Sequence, residues 1–131
     1  MKLFYALCLG FIFSTNCFSQ DINGLWEDST GVSFTNCNVI FAVKNDSVFM
    51  THYIEFNGAS FVEYGSGMIT KDSVNYNVIV TKGIPGWSTA GVHNLKIFDN
   101  GNTLRGCYHD NIGNTGPLVF KRKKLKQVKK K

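Results

Sequence analysis

Ser47-Val48-Phe49-Met50-Thr51-His52-Tyr53-Ile54-Glu55-Phe56, followed at once by Asn57-Gly58, decides the fold class. Val48, Met50, His52, Ile54 and Phe56 fall on one face, and Phe49, Thr51, Tyr53 and Glu55 on the other. A period of two marks a strand with one face buried. Asn-Gly turns such a strand into a hairpin, because a type I′ turn needs positive φ at both central residues. The pattern repeats in both directions: Cys37, Val39, Phe41 and Val43 share a face upstream, as do Val74, Tyr76, Val78 and Val80 downstream.

Further turn signals at Asn45-Asp46, Lys71-Asp72 and Asn100-Gly101 recur at the spacing of an all-β sandwich or barrel. Reading outward from the turns predicts eight strands, over 23–28, 37–44, 47–56, 60–70, 73–82, 91–98, 102–109 and 117–123. Gly65 and Gly67 suit a bulge or a sharp bend in the fourth. The segments between strands at 29–36, 83–90 and 110–116 are rich in Gly, Ser, Thr and Asn.

The two ends suggest how the sheet finishes. Gly24-Leu25-Trp26 opens the first strand and Phe120-Lys121-Arg122 closes the last, so the expected fold is an all-β, eight-stranded antiparallel up-and-down β-barrel with first strand against last. Glycine-x-tryptophan, eight next-neighbour strands and a terminal Arg together resemble the calycin superfamily, the lipocalins, avidins and related small barrels. The stretch from Asn102 to Phe120 also looks like the final hairpin of small secreted bacterial barrels. The resemblance implies a structural clasp of Gly24, Trp26 and Arg122, with Trp26 plugging one end and Arg122 lying across its indole. The chain is shorter than a typical lipocalin and lacks a helical pattern before its last strand, which points to the smaller members.

Lys2 and the apolar run 3–13 read as a secretion signal occupying residues 1–20, too short to span a bilayer. Neither Cys8, preceded by Leu7, nor Cys17, preceded by Asn16, follows the small residue that lipid attachment needs. Residues 21–122 are enough for one domain with one core, exported to the periplasm or beyond. In that compartment a Cys37–Cys107 disulfide is expected, and closing a loop of about seventy residues removes about 4 kcal/mol of chain entropy. Two thiols packed as small apolar groups are the alternative.

Charge separates sharply along the chain. Residues 121–131 hold eight basic side chains and no acid, whereas residues 21–120 hold five basic and nine acidic ones. A nucleic-acid-binding domain spreads its cations over a folded face, so this acidic body argues against that partner. The basic tail, 123–131, is expected to be disordered, with three readings: attraction to an anionic surface, contact with nucleic acid or polysaccharide, or a solvated end.

Catalytic signatures are absent: there is no Gly-x-Ser-x-Gly elbow, and His52, His93 and His109 lack metal-ligand spacing. Glu55 and Glu63 lie on neighbouring strands, where they form either an acid/base pair or two solvated carboxylates. No catalytic residue, metal ligand or cofactor is assigned. The loop 83–91, with Trp87 between Pro and Gly, either lines a pocket mouth or covers the barrel end. Trp87, His52, Tyr53, Tyr76, Arg105 and Tyr108 are the candidate ligand-binding residues, and the same aromatics also suit a dry core. The expected function is non-catalytic binding of a small apolar or aromatic molecule. The alternative is a protein-binding module, such as an inhibitor of an extracellular protease, and an enzyme ranks third.

Overall fold

The computed structural model of the 131-residue chain describes residues 20–31 and 35–124. Its strands are β1 (Gly24–Asp28), β2 (Thr35–Lys44), β3 (Ser47–Phe56), β4 (Ala59–Ile69), β5 (Ser73–Val80), β6 (Ala90–Phe98), β7 (Thr103–Asp110) and β8 (Thr115–Arg122). Each pairs antiparallel with the next, and β1 pairs with β8, so the sheet closes into an eight-stranded barrel. Closure leaves no edge strand to protect. No helix occurs among the described residues. All eight predicted strands are present, with ends shifted by no more than two residues. Of the segments read as signal and tail, only Gln20, Lys123 and Lys124 are described.

Asn57 and Gly58 both take positive φ, 49° and 75°, as the hairpin turn requires. Of the bulge or bend expected at Gly65 and Gly67, the bulge is not found, since the register of β4 runs without a shift against both neighbours. Gly65 instead marks a close strand approach: a Cβ there would lie 1.9 Å from the Asn77 carbonyl oxygen. Gly106 on β7 is alike, with its Cβ position 1.8 Å from the Asn94 carbonyl oxygen. Glycines at such positions let a small sheet coil tightly enough to close.

Strand alternation sends one set of side chains into the barrel. Around the clasp end the interior is filled: Trp26, Phe41, Tyr76 and Phe120 are fully buried among Val39, Val48, Val74, Leu95 and Leu104. Phe41 is the hub, meeting Trp26, Tyr76 and Phe120 edge-on at centroid distances of 6.0, 5.7 and 6.1 Å. Trp26 Nε1 donates to the Ile22 carbonyl at 3.0 Å, so burial leaves its one polar atom satisfied.

Arg122 closes this end. Its guanidinium carbon lies 4.6 Å from the Trp26 ring centroid. Its Nε donates to Gly101 O at 3.1 Å, Nη1 to Asn23 O at 2.7 Å, and Nη2 to Asp21 O. Gly24 sits beneath it at φ 123°, where a Cβ would come within 3.6 Å of Nη1.

The cysteine pairing is corrected. Cys37 shares the inward face of β2 with Val39 and Phe41 and is buried beside Ile54 and Phe61. Cys107 points out of β7, with its Sγ 3.5 Å from His109 Nε2 on the outer wall. A wall of the barrel separates the two thiols, so no bridge joins them. Burial also pushes the Cys37 thiol pKa up, which keeps it in the unreactive thiol form. A thiol-alkylating reagent is therefore expected to label Cys107 in the folded protein and Cys37 only after denaturation. Peptide-level mass spectrometry reads this directly, and a non-reduced peptide linking the two cysteines would overturn it.

Candidate functional site

The odd-numbered connections (β1–β2, β3–β4, β5–β6 and β7–β8) gather at the barrel end opposite the clasp, and there the interior is hollow. A cavity of about 440 Å³ opens between them, with Thr30 and Gly31, Trp87 and Ser88, and Asn114 at its mouth. Its walls are mostly apolar, from Ile54, Phe56, Pro117 and Leu118. Trp87 folds inward on the β5–β6 loop, with ring centroids 5.1 Å from Phe56 and 5.0 Å from Phe61. Trp87 N donates to Ile84 O at 3.2 Å, which closes the loop into a turn beneath the indole.

The floor is polar and almost fully buried. His52 on β3 stands directly opposite Glu63 on β4, and Nδ1 lies 2.9 Å from Glu63 Oε1. Asp28, two residues beyond Trp26 on β1, reaches the other side of the ring, with Oδ2 3.4 Å from His52 Nε2. The side chains of all three are at most 6% exposed. Asp28 is held by its own turn: Oδ1 accepts the Thr30 amide at 2.8 Å, and Thr30 Oγ1 in turn accepts the Val119 amide at 2.9 Å. Below His52 lies Phe120, edge-on at 5.6 Å, which ties the floor to the packed half of the barrel.

A second histidine completes the floor. His93 on β6 is in register with Tyr76 on β5 and Tyr108 on β7, and its Nδ1 lies 3.1 Å from the Tyr76 hydroxyl. Burial drives the His93 pKa from 6.5 down to about 4; Glu63 opposes this and His52 reinforces it. Burial pushes the Tyr76 phenol well above its ordinary range, so its hydroxyl keeps its proton.

The six candidate residues therefore separate. Trp87, His52 and Tyr108 line the cavity. Tyr76 lies one layer below, fully buried among the core rings and acting through His93. Tyr53 and Arg105 do not meet the cavity, because each falls on the outward phase of its strand. Tyr53 donates to Glu55 Oε1 at 2.8 Å on the outer surface. Glu55 likewise faces outward, so Glu63 pairs with His52 and not with Glu55. His109 is also outside, and the three imidazoles do not converge. Among the described residues no group of three or more His, Cys, Asp or Glu is placed to hold a metal ion.

Asp28, Glu63 and His93 are functional candidates that were not singled out for the cavity. Phase alone places them inside: Asp28 alternates with Trp26, Glu63 with Phe61, and His93 with Leu95. No protein-family model matches the chain, and neither a curated protein nor a solved structure matches it.

Proposed function

We propose that the barrel is an exported, non-catalytic binding protein that takes a small apolar or aromatic molecule into its open end. The cavity of about 440 Å³ is the observation that carries this reading. Small-molecule sites are concave, typically about 300–1,000 Å³, and mostly apolar with a few fixed polar groups. Apolar walls over a buried Asp28–His52–Glu63 floor fit that description. The calycin resemblance, now with Arg122 over Trp26, supports the same reading, and export rests on the Lys2 and 3–13 signal pattern. The protein-binding alternative, in which loops and a terminus do the work, is favoured by a filled interior with an exposed Trp87 loop, whereas the indole packs on Phe56 and Phe61 beside an open cavity.

The neutral fluorophore N-phenyl-1-naphthylamine tests this. Its emission is expected to rise on addition of protein and to saturate at one site per chain. Ile54→Trp, which puts an indole into the cavity, is expected to abolish the rise while the urea midpoint shows the barrel still folded. An unsaturable signal, or one unchanged in a folded Ile54→Trp protein, would sink the proposal.

A further inference from the structure

The cavity floor holds one imidazole between two carboxylates. His52 gives its Nδ1 proton to Glu63 Oε1, since an ionised carboxylate only accepts. Its Nε2 has no hydrogen-bond partner among the described residues although His52 is only 2% exposed. Its neighbour at 3.4 Å is Asp28 Oδ2, a second acceptor. Glu63 uses only Oε1 in its bond to His52. A single ring, whatever its protonation, cannot neutralise both carboxylates. A buried charge left uncompensated is costly, and a ligand that brings the opposite charge recovers that cost.

Charge points the same way. Asp28, Glu63 and Asp110 all line the cavity, and no Lys or Arg does among the described residues. Arg105, the basic residue nearest in sequence to Tyr108, faces the outer wall. His93 adds no compensating charge at neutral pH, because burial holds it in the neutral form. Above the floor, Trp87, Phe56 and Tyr108 offer ring faces, which attract cations as well as apolar bodies. A bare metal ion does not use walls of this kind, and the cavity is far larger than one ion needs.

We infer that the molecule taken up is a small primary amine, bound as its ammonium ion by the carboxylates of Asp28 and Glu63, with an aromatic or apolar body against Trp87 and Leu118. An ammonium brings the positive charge that the floor lacks and N–H donors for its carboxylate oxygens. This inference rests on the binding role proposed above, and it names the chemical class of ligand for the same cavity.

Three probes of one shape and different charge test it by calorimetry on the wild-type chain: phenethylamine, 2-phenylethanol and 3-phenylpropionate. Phenethylamine is expected to bind at least about tenfold more tightly than the alcohol, because hydrogen bonds to charged groups are the stronger ones. The propionate is expected not to bind. Glu63→Gln is expected to weaken phenethylamine at least about tenfold and 2-phenylethanol by much less. Equal affinities, or a preference for the anion, overturn the amine assignment while leaving the binding role standing. Failure of all three to bind removes the binding role and this inference with it. Should Glu63→Gln not fold, Asp28→Asn provides the same comparison, and the wild-type probe series decides without any variant.

Discussion

Between pH 6.5 and 4 the barrel is expected to lose about 3 kcal/mol of folding stability through His93 alone. The unfolded side chain titrates at 6.5, whereas burial, opposed by Glu63 and reinforced by His52, holds the folded one at about 4. Above 6.5 the ring is neutral in both states and contributes no pH dependence. Below it the unfolded chain takes up a proton that the folded chain refuses, so stability falls as pH falls, until the folded ring also titrates near 4. A gap of about two and a half units corresponds to about 3 kcal/mol at 1.36 kcal/mol per unit. Because His93 is only 7% exposed, little of this is lost to solvent screening.

His93→Gln isolates the effect, since an amide keeps a polar partner for the Tyr76 hydroxyl but does not titrate. Urea unfolding of both proteins at a series of pH values gives the difference profile, in which the titrating groups not coupled to His93 cancel. The wild-type curve is expected to drop relative to the variant by about 3 kcal/mol across the window. Parallel curves would show that His93 is protonated, or solvated, in the folded barrel. The same neutrality matters for the cavity, because a protonated His93 would offset the acidic floor.

Much of this floor was legible in the chain, and the legible part follows from one turn. A two-residue turn at Asn57-Gly58 pairs Phe56 with Ala59; counting four residues back from one and four forward from the other lands on His52 and Glu63. Strand phase separates Tyr53 from His52 by a single residue, and that step places its ring outside the wall. Arg105 fails by the same rule, one position after the inward Leu104. Cys37 and Cys107 show how loop-closure entropy misleads when phase is ignored, for it rewards a long loop without asking which side of the sheet each thiol is on. Other features were beyond such counting. Asp28 reaches His52 although β1 and β3 are not paired strands, a contact set by the curvature and stagger of the closed sheet. The cavity itself depends on how the β3–β4, β5–β6 and β7–β8 connections sit at the open end, and on Trp87 turning inward.

Removing the Arg122 side chain is expected to cost about 3 kcal/mol, and to cost it without touching the cavity. The cation–π contact with Trp26 contributes about 0.5–2 kcal/mol, and the half-exposed setting argues for the lower part of that range. Each guanidinium bond to Gly101, Asn23 and Asp21 carbonyls adds to this, with net values of about 1 kcal/mol per bond. These three carbonyls belong to the N-terminal approach to β1 and to the β6–β7 turn, so one side chain staples both to β8. Loss of about 3 kcal/mol in a domain of this size lowers the melting temperature by roughly 15 °C. Arg122→Lys keeps the charge but not the planar fork, and is expected to recover less than half of the loss. Urea midpoints for wild type, Arg122→Ala and Arg122→Lys, with unchanged slopes, measure both statements. If Lys restores full stability, charge alone holds the end closed and the fork geometry is incidental. A binding measurement on the folded Arg122→Ala protein separates the two halves of the barrel. Its cavity lies at the far end, beyond the packed rings of Trp26, Phe41 and Phe120, so its affinity for a cavity ligand is expected to match the wild type.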